Sequence, residues 1–154
     1  MPSDFLTQAL HLASDSARSG GGPFGAVIVR GTEVLATGSN QVTRDNDPTA
    51  HAEVVAIRSA CQRLGTFRLD DCVLYASCEP CPMCLAAVYW ARIPRVVFAA
   101  TRADAAQAGF DDEAIYAELA KPLAARTVCM EHAVAPGAVT PFRLWRANAQ
   151  RTTY

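Results

Sequence analysis

The sequence predicts an α/β protein, a three-layer α/β/α sandwich built on a mixed sheet of five strands. Three observations predict it. Short apolar runs of strand length alternate with segments of helical period. The first two runs lie close enough for an antiparallel hairpin. Two later runs are separated by a helix, the connection that parallel neighbours require. At 154 residues, 51% of them hydrophobic and 19% charged, the chain has the size and composition of a single globular domain. It shows no repeat, low-complexity tract or linker, so one folding unit is expected over residues 1–154.

Each element has its own signal. Ser3 can cap a first helix in which Phe5, Ala9, Leu12, Ala13 and Ala17 recur at helical spacing, and Gly20 to Gly22 end it. Gly25 to Arg30 and Glu33 to Ser39 flank Gly31-Thr32 and read as a hairpin. Asp47 and Pro48 have the character of an N-cap and a first-turn proline, opening a helix with Ala50, Val54, Ile57, Cys61 and Leu64 on one face before Gly65. Cys72 to Ser77 is a short apolar strand. Cys81 to Arg92 is a helix stopped near Pro94, with Trp90 in the core, and Arg95 to Ala100 is a buried strand. A right-handed crossover makes those two strands parallel neighbours. Asp112 to Ala120 reads as a helix, Thr127 to Ala133 as the fifth strand and Pro141 to Gln150 as a terminal helix.

Composition narrows the function classes. No stretch approaches the roughly 20 apolar residues of a membrane span. The N-terminus lacks a basic segment followed by an apolar run and a cleavage site, so a cytoplasmic protein without membrane contact is expected. Six cysteines without a secretion signal, two of them in a Cys-x-x-Cys beside proline, point to metal binding rather than to disulfides. A net charge of −1 and a pI near 6.3 give no broad basic footprint for a phosphate backbone. A small-molecule partner is expected and a nucleic acid is not.

The chemistry concentrates in two short segments, His51-Ala52-Glu53 and Pro80-Cys81-Pro82-Met83-Cys84. His51, Cys81 and Cys84 supply one imidazole and two thiolates, a three-ligand zinc set that leaves the fourth position of a tetrahedral ion for water, as catalytic sites do. The thiolates offset the charge of the ion and acidify that water less than neutral imidazoles would, so a neighbouring base is useful, and Glu53 is placed to be it. A helix start at Cys81 favours thiolate charge. Residues two apart in a regular helix point roughly 200° apart, so His51 and Glu53 must straddle the metal at the helix's N-terminal end. The competing reading is a structural zinc site, which needs a fourth ligand from His11, His132, Cys61, Cys72, Cys78 or Cys129. Cys78 is the nearest rival and reads as a packed thiol.

His51-Ala52-Glu53 followed by Ser77-Cys78-Glu79-Pro80-Cys81-Pro82-Met83-Cys84 resembles the cytidine deaminase superfamily, whose fold is the one expected above. Gly21-Gly22-Pro23-Phe24-Gly25, Asn46-Asp47-Pro48-Thr49-Ala50, Tyr89-Trp90-Ala91-Arg92, Ala108-Gly109-Phe110-Asp111-Asp112 and Ile115-Tyr116 are similar to the small bacterial guanine deaminases. The likeness thins over Lys121 to Gly137 and after Ala147. It implies a zinc-dependent hydrolytic deaminase, with activated water adding at C2 of guanine, xanthine and ammonia as products, and Glu53 moving the protons. It further implies that Asn40 meets the purine edge, Phe24 flanks the ring, backbone near Ala52 steadies the developing charge and Asp112 accepts from the base's N–H groups. Asp111 and Glu113 are the adjacent alternatives for that acid. Tyr154 resembles a terminal tyrosine that closes the pocket, on a C-terminal segment exchanged between the subunits of a homodimer.

The residues alone leave other readings open: a turn amide for Asn40, a core ring for Phe24, an acidic helix start for Asp112 and a frayed end for Tyr154. The rival substrates are adenosine in transfer RNA, cytosine, a nucleoside such as guanosine, or a small aminotriazine. A noncatalytic zinc module is the rival from another class.

Overall fold

The structure is a computed structural model and describes residues 2–154, with side chains from Asp4 onward. The expected cap by the Ser3 side chain lies outside the described side chains. The chain divides into two compact units, one ending at Ala117 and the other Glu118–Tyr154.

The first unit runs α1 (Pro2–Arg18), β1 (Gly25–Arg30), β2 (Glu33–Ser39), α2 (Val42–Asp45), α3 (Ala52–Leu64), β3 (Cys72–Cys78), α4 (Pro82–Trp90), β4 (Arg95–Ala100), α5 (Arg102–Gln107) and the start of α6 (Asp112–Ala120). The second unit contains the end of α6, a 3-10 turn at Leu123–Ala125 and α7 (Thr140–Ala147).

Among the described residues the sheet has four strands in the order β2-β1-β3-β4. β1 is antiparallel to β2 and β3, while β3 and β4 are parallel, with Val73 beside Arg95. The sheet is mixed as expected, but the fifth strand is not formed. Thr127 to Ala133 has no ladder partner and holds only Thr127 and Val128 of the strand-favouring types, with Glu131 and Ala133 against them, and it stays irregular. Nor is β4 a buried strand. It pairs with β3 alone at the sheet edge, and Phe98 is 43% exposed. Trp90, expected in the core, is 61% exposed at the end of α4.

Strand alternation sorts the core. Ala26 and Ile28 of β1 join Leu74 in a cluster with Ala52, Ala56, Ile57 and Ala60 of α3 and Val88 of α4. The intervening Val27 and Val29 pack with Tyr75 against Ala9, Phe5, Leu6 and Leu12 of α1. Successive strand side chains point to opposite faces, so different helices take alternate residues of one strand.

Two glycines set how closely helices approach the sheet. A Cβ on Gly38 of β2 would fall 2.1 Å from the Ala52 carbonyl oxygen, and one on Gly25 of β1 would fall 2.3 Å from that of Ala9. The first turn of α3 therefore rests directly on β2 backbone. That helix begins at Ala52 rather than near Pro48. The Asp47 carboxylate instead accepts from the Thr49 N–H at 2.8 Å and the Thr49 hydroxyl at 2.7 Å, folding the segment into a turn after Asn46 at φ 51°.

Candidate metal centre

Two helix starts converge on one point. His51 is the N-cap of α3, with φ −68° and ψ 154°, and Cys81 is the N-cap of α4, with φ −64° and ψ 168°. Extended backbone at each cap turns the side chain past the helix end, where unpaired N–H groups and the positive end of the dipole favour negative charge. Pro82 suits the first turn because its missing N–H would have had no helical partner there. The Cys84 N–H donates to Cys81 Sγ at 3.5 Å. His51 lies outside the helix and Glu53 in its first turn, the placement that straddling a metal there requires.

His51 Nδ1 lies 3.5 Å from Cys81 Sγ and 3.5 Å from Cys84 Sγ. A tetrahedral zinc ion with Zn–N near 2.05 Å and Zn–S near 2.3 Å separates such atoms by about 3.6 Å. Spacing and donor chemistry thus both fit zinc. All three ligand atoms lie within 4.8 Å of one another, and no other His, Cys, Asp or Glu among the described residues joins them. Cys78 points elsewhere: its thiol donates to the Thr101 carbonyl at 3.5 Å, and burial pushes it up to about 11.

Charge is distributed unevenly over the ligands. The Cys84 side chain beside it holds Cys81 down to about 4, helped by His51, and Cys81 in turn raises Cys84. His51 is raised by its hydrogen bond to Cys81. Cys84 also donates to Glu53 Oε2 at 3.4 Å, and burial raises the Glu53 carboxyl, which is only 6% exposed. A buried carboxyl beside the ligands is placed to take a proton and return it.

A cavity of about 250 Å³ opens on this cluster, and His51, Cys81, Glu53, Phe24, Asn40 and Asp112 all line it. Asp112 is the member of its acidic run that faces the cavity, and burial raises its carboxyl. Phe24 meets Phe110 edge-to-face, with ring centres 4.8 Å apart. Asn40 Oδ1 accepts from the Val42 N–H at 3.2 Å, which leaves its NH₂ group to donate to a ligand. Ala52 is fully buried at the start of α3 and does not line the cavity. Tyr154 belongs to the second unit, where its ring packs edge-on to Trp145 at 6.1 Å.

Sequence reasoning missed Gly22, Val42, Thr43, Glu79 and Phe110, which complete the wall. Gly22 and Phe110 lay inside segments already singled out, but nothing in their side chains marked a role. A Cβ on Gly22 would fall 2.8 Å from Asn40 Cγ, so this glycine makes room for the amide.

Residues 2–100 match the family model of the cytidine and deoxycytidylate deaminase zinc-binding region. Guanine deaminase of Bacillus subtilis (strain 168) is 53% identical over 151 residues, 97% of each chain. An X-ray structure of guanine deaminase from Bacillus subtilis superposes with a TM-score of 0.96 at 52% identity, covering 99% of this chain and 98% of that one. The tRNA-specific adenosine deaminase of Aquifex aeolicus is 45% identical over 96 residues, 62% of this chain and 64% of that protein. The matched region contains all three ligands and Glu53, and the chain belongs to the cytidine and deoxycytidylate deaminase zinc-binding family.

Proposed function

We propose that this protein is a zinc-dependent hydrolase that converts guanine and water to xanthine and ammonia. The observation that carries the reading is the extent of its likeness. The match to a guanine deaminase runs over 97% of the chain, whereas the match to a tRNA adenosine deaminase covers 62%. The cavity agrees with a free base: two aromatic rings, one amide and the carboxylates of Glu53, Glu79 and Asp112 surround it, and the net charge of −1 offers little to a nucleic acid.

His51, Cys81 and Cys84 would hold the zinc, whose chemistry is to acidify a water so that it can act as nucleophile near neutral pH. The protein's own residues do the rest. Phe24 flanks the purine, the Asn40 NH₂ donates at its edge, and Asp112 accepts from its N–H groups at two oxygens. Glu53 takes the proton released as water adds at C2 and delivers it to the adjacent ring nitrogen. It then takes the proton of the new C2 hydroxyl and passes it to the exocyclic amine, so that the C2–N bond breaks, the C2 carbonyl of xanthine forms and ammonia leaves. The helix start at Cys81, which lines the cavity, offers backbone N–H groups to the charge that develops.

The protein acts in this reading as a cytoplasmic homodimer whose C-terminal segments are exchanged, so that Tyr154 closes the partner's pocket. Supporting it, no residue from 118 to 154 is buried in the single chain, and Phe142 and Leu144 are 68% and 67% exposed. Among the described residues no helix is long and apolar enough to cross a membrane. The three-layer arrangement belongs to the same reading, since α1 and α3 draw on alternate residues of β1.

The test is direct. Zinc-loaded protein incubated with guanine should release xanthine and ammonia in equal amounts. Conversion of adenine or cytosine with guanine left intact would sink the assignment, and activity confined to transfer RNA would favour the adenosine reading.

A further inference from the structure

Asp112 stands at the first position of α6, a helix with no buried residue. A helix without a buried face has little packing to fix its place, because tertiary contacts supply most helical stability. Tyr116 lies four residues after Asp112, on the same face of that helix. Its hydroxyl donates to the Pro80 carbonyl at 2.8 Å. Pro80 immediately precedes the ligand Cys81.

The ring that carries this hydroxyl is held from its other side. The Arg102 guanidinium sits 4.6 Å from the Tyr116 ring centre. Arg102 is in turn tied to Glu79: its backbone N–H donates to Oε2 at 3.0 Å, and its Nε lies 3.8 Å from Oε1. Glu79 adjoins Pro80 in sequence, so Pro80, Glu79, Arg102 and Tyr116 form a closed circuit between the metal loop and the helix bearing Asp112.

We propose that Tyr116 is a positioning residue: its hydrogen bond to the Pro80 carbonyl sets where Asp112 stands relative to the metal ligands, with Arg102 and Glu79 holding its ring. The inference rests on the reading that Asp112 accepts from the purine. Its consequence is that the effect of Tyr116 on substrate passes mainly through Asp112.

A double-mutant cycle tests that consequence. In a Glu53→Gln background, so that bound base is not consumed, guanine affinity is measured by equilibrium dialysis for the zinc-loaded parent, Tyr116→Phe, Asp112→Asn and the pair together. Tyr116→Phe should weaken binding about ten-fold when Asp112 is present, the loss of one hydrogen bond's worth of placement, and less than about two-fold once Asp112 is already Asn. Zinc content and melting temperature should match the parent. Equal weakening in both backgrounds, no weakening in either, or loss of zinc would overturn the proposal. If the parent binds no guanine, the guanine assignment fails separately, and the same ratio is read with whichever base the wild-type protein deaminates.

Discussion

Glu53, proposed above as the proton carrier, stands beside the ligand group without belonging to it. One of its oxygens accepts from Cys84 at 3.4 Å, while the ligand group itself consists of His51, Cys81 and Cys84. Glu53→Gln keeps nearly the same shape but cannot carry a proton, so it should retain full zinc while kcat falls by about 10² to 10⁴, the usual span of general acid–base catalysis. Metal analysis beside steady-state rates checks this, and a variant that loses zinc would contradict the role. Gly22 makes the opposite point, since its contribution is an absence. A methyl there would stand 2.8 Å from Asn40 Cγ, and the flexible amide, rather than backbone, would have to move. Gly22→Ala should therefore raise KM for guanine about ten-fold, as expected for the loss of one directed hydrogen bond, with little change in melting temperature. At this scale the ligands and Glu53 were legible because metal chemistry demands particular side chains at particular spacings. Gly22, Glu79 and Phe110 were not, because glycine, an acid and an aromatic ring each have many commoner uses and only the fold brings these three to the cavity.

The elements explain why a His-x-Glu pair can serve one metal. Within regular helix the two side chains would diverge by roughly 200°, but with His51 as the N-cap and Glu53 in the first turn of α3 both reach past the helix end. That placement depends on β2, because the Ala52 carbonyl oxygen and the Ala56 nitrogen would stand 2.1 Å and 2.8 Å from a Cβ at position 38. Both are backbone atoms and cannot swing aside. Gly38→Ala should cost about 3 kcal/mol, at the upper end for overpacking, and should weaken zinc retention as α3 is pushed off the sheet; urea unfolding and chelator competition would measure the two effects. The hairpin, β4 and α6 could be bounded from sequence because their patterns are local. The start of α3 could not, because Asp47 and Thr49 bond to each other and form a turn where Asp-Pro suggested a cap. The short α2 and α5 have too few residues to show a period. Thr127 to Ala133 was expected to be a strand, but a strand also needs an edge to pair with, and a short run of sequence carries no information about partners.

At the scale of the whole molecule, burial is divided as unevenly as chemistry. The core clusters lie entirely before residue 118, while Leu119, Leu123, Val128, Met130, Val134, Val139, Phe142, Leu144, Trp145 and Tyr154 are all large, apolar and exposed. Isolated exposed apolar residues are ordinary, but a run of them on a segment with no core of its own is the kind of surface that a partner chain can cover. An exchanged homodimer meets that need, and sedimentation should show a particle of twice the chain mass. Mixing two inactive variants discriminates exchange from simple association. One variant carries Tyr154→Ala and the other Glu53→Gln, and the two are refolded together in equal amounts. If Tyr154 closes the partner's pocket, each heterodimer has one site with both Glu53 and Tyr154 intact. Random pairing then restores about a quarter of wild-type activity, since half the dimers are mixed and half their sites are whole. If Tyr154 closes its own pocket, no site in the mixture is whole and activity stays at the level of the separate variants. Recovery in the mixture would also account for the exposure of the terminal aromatic residues in the single chain, since the surface they cover would then belong to the other subunit.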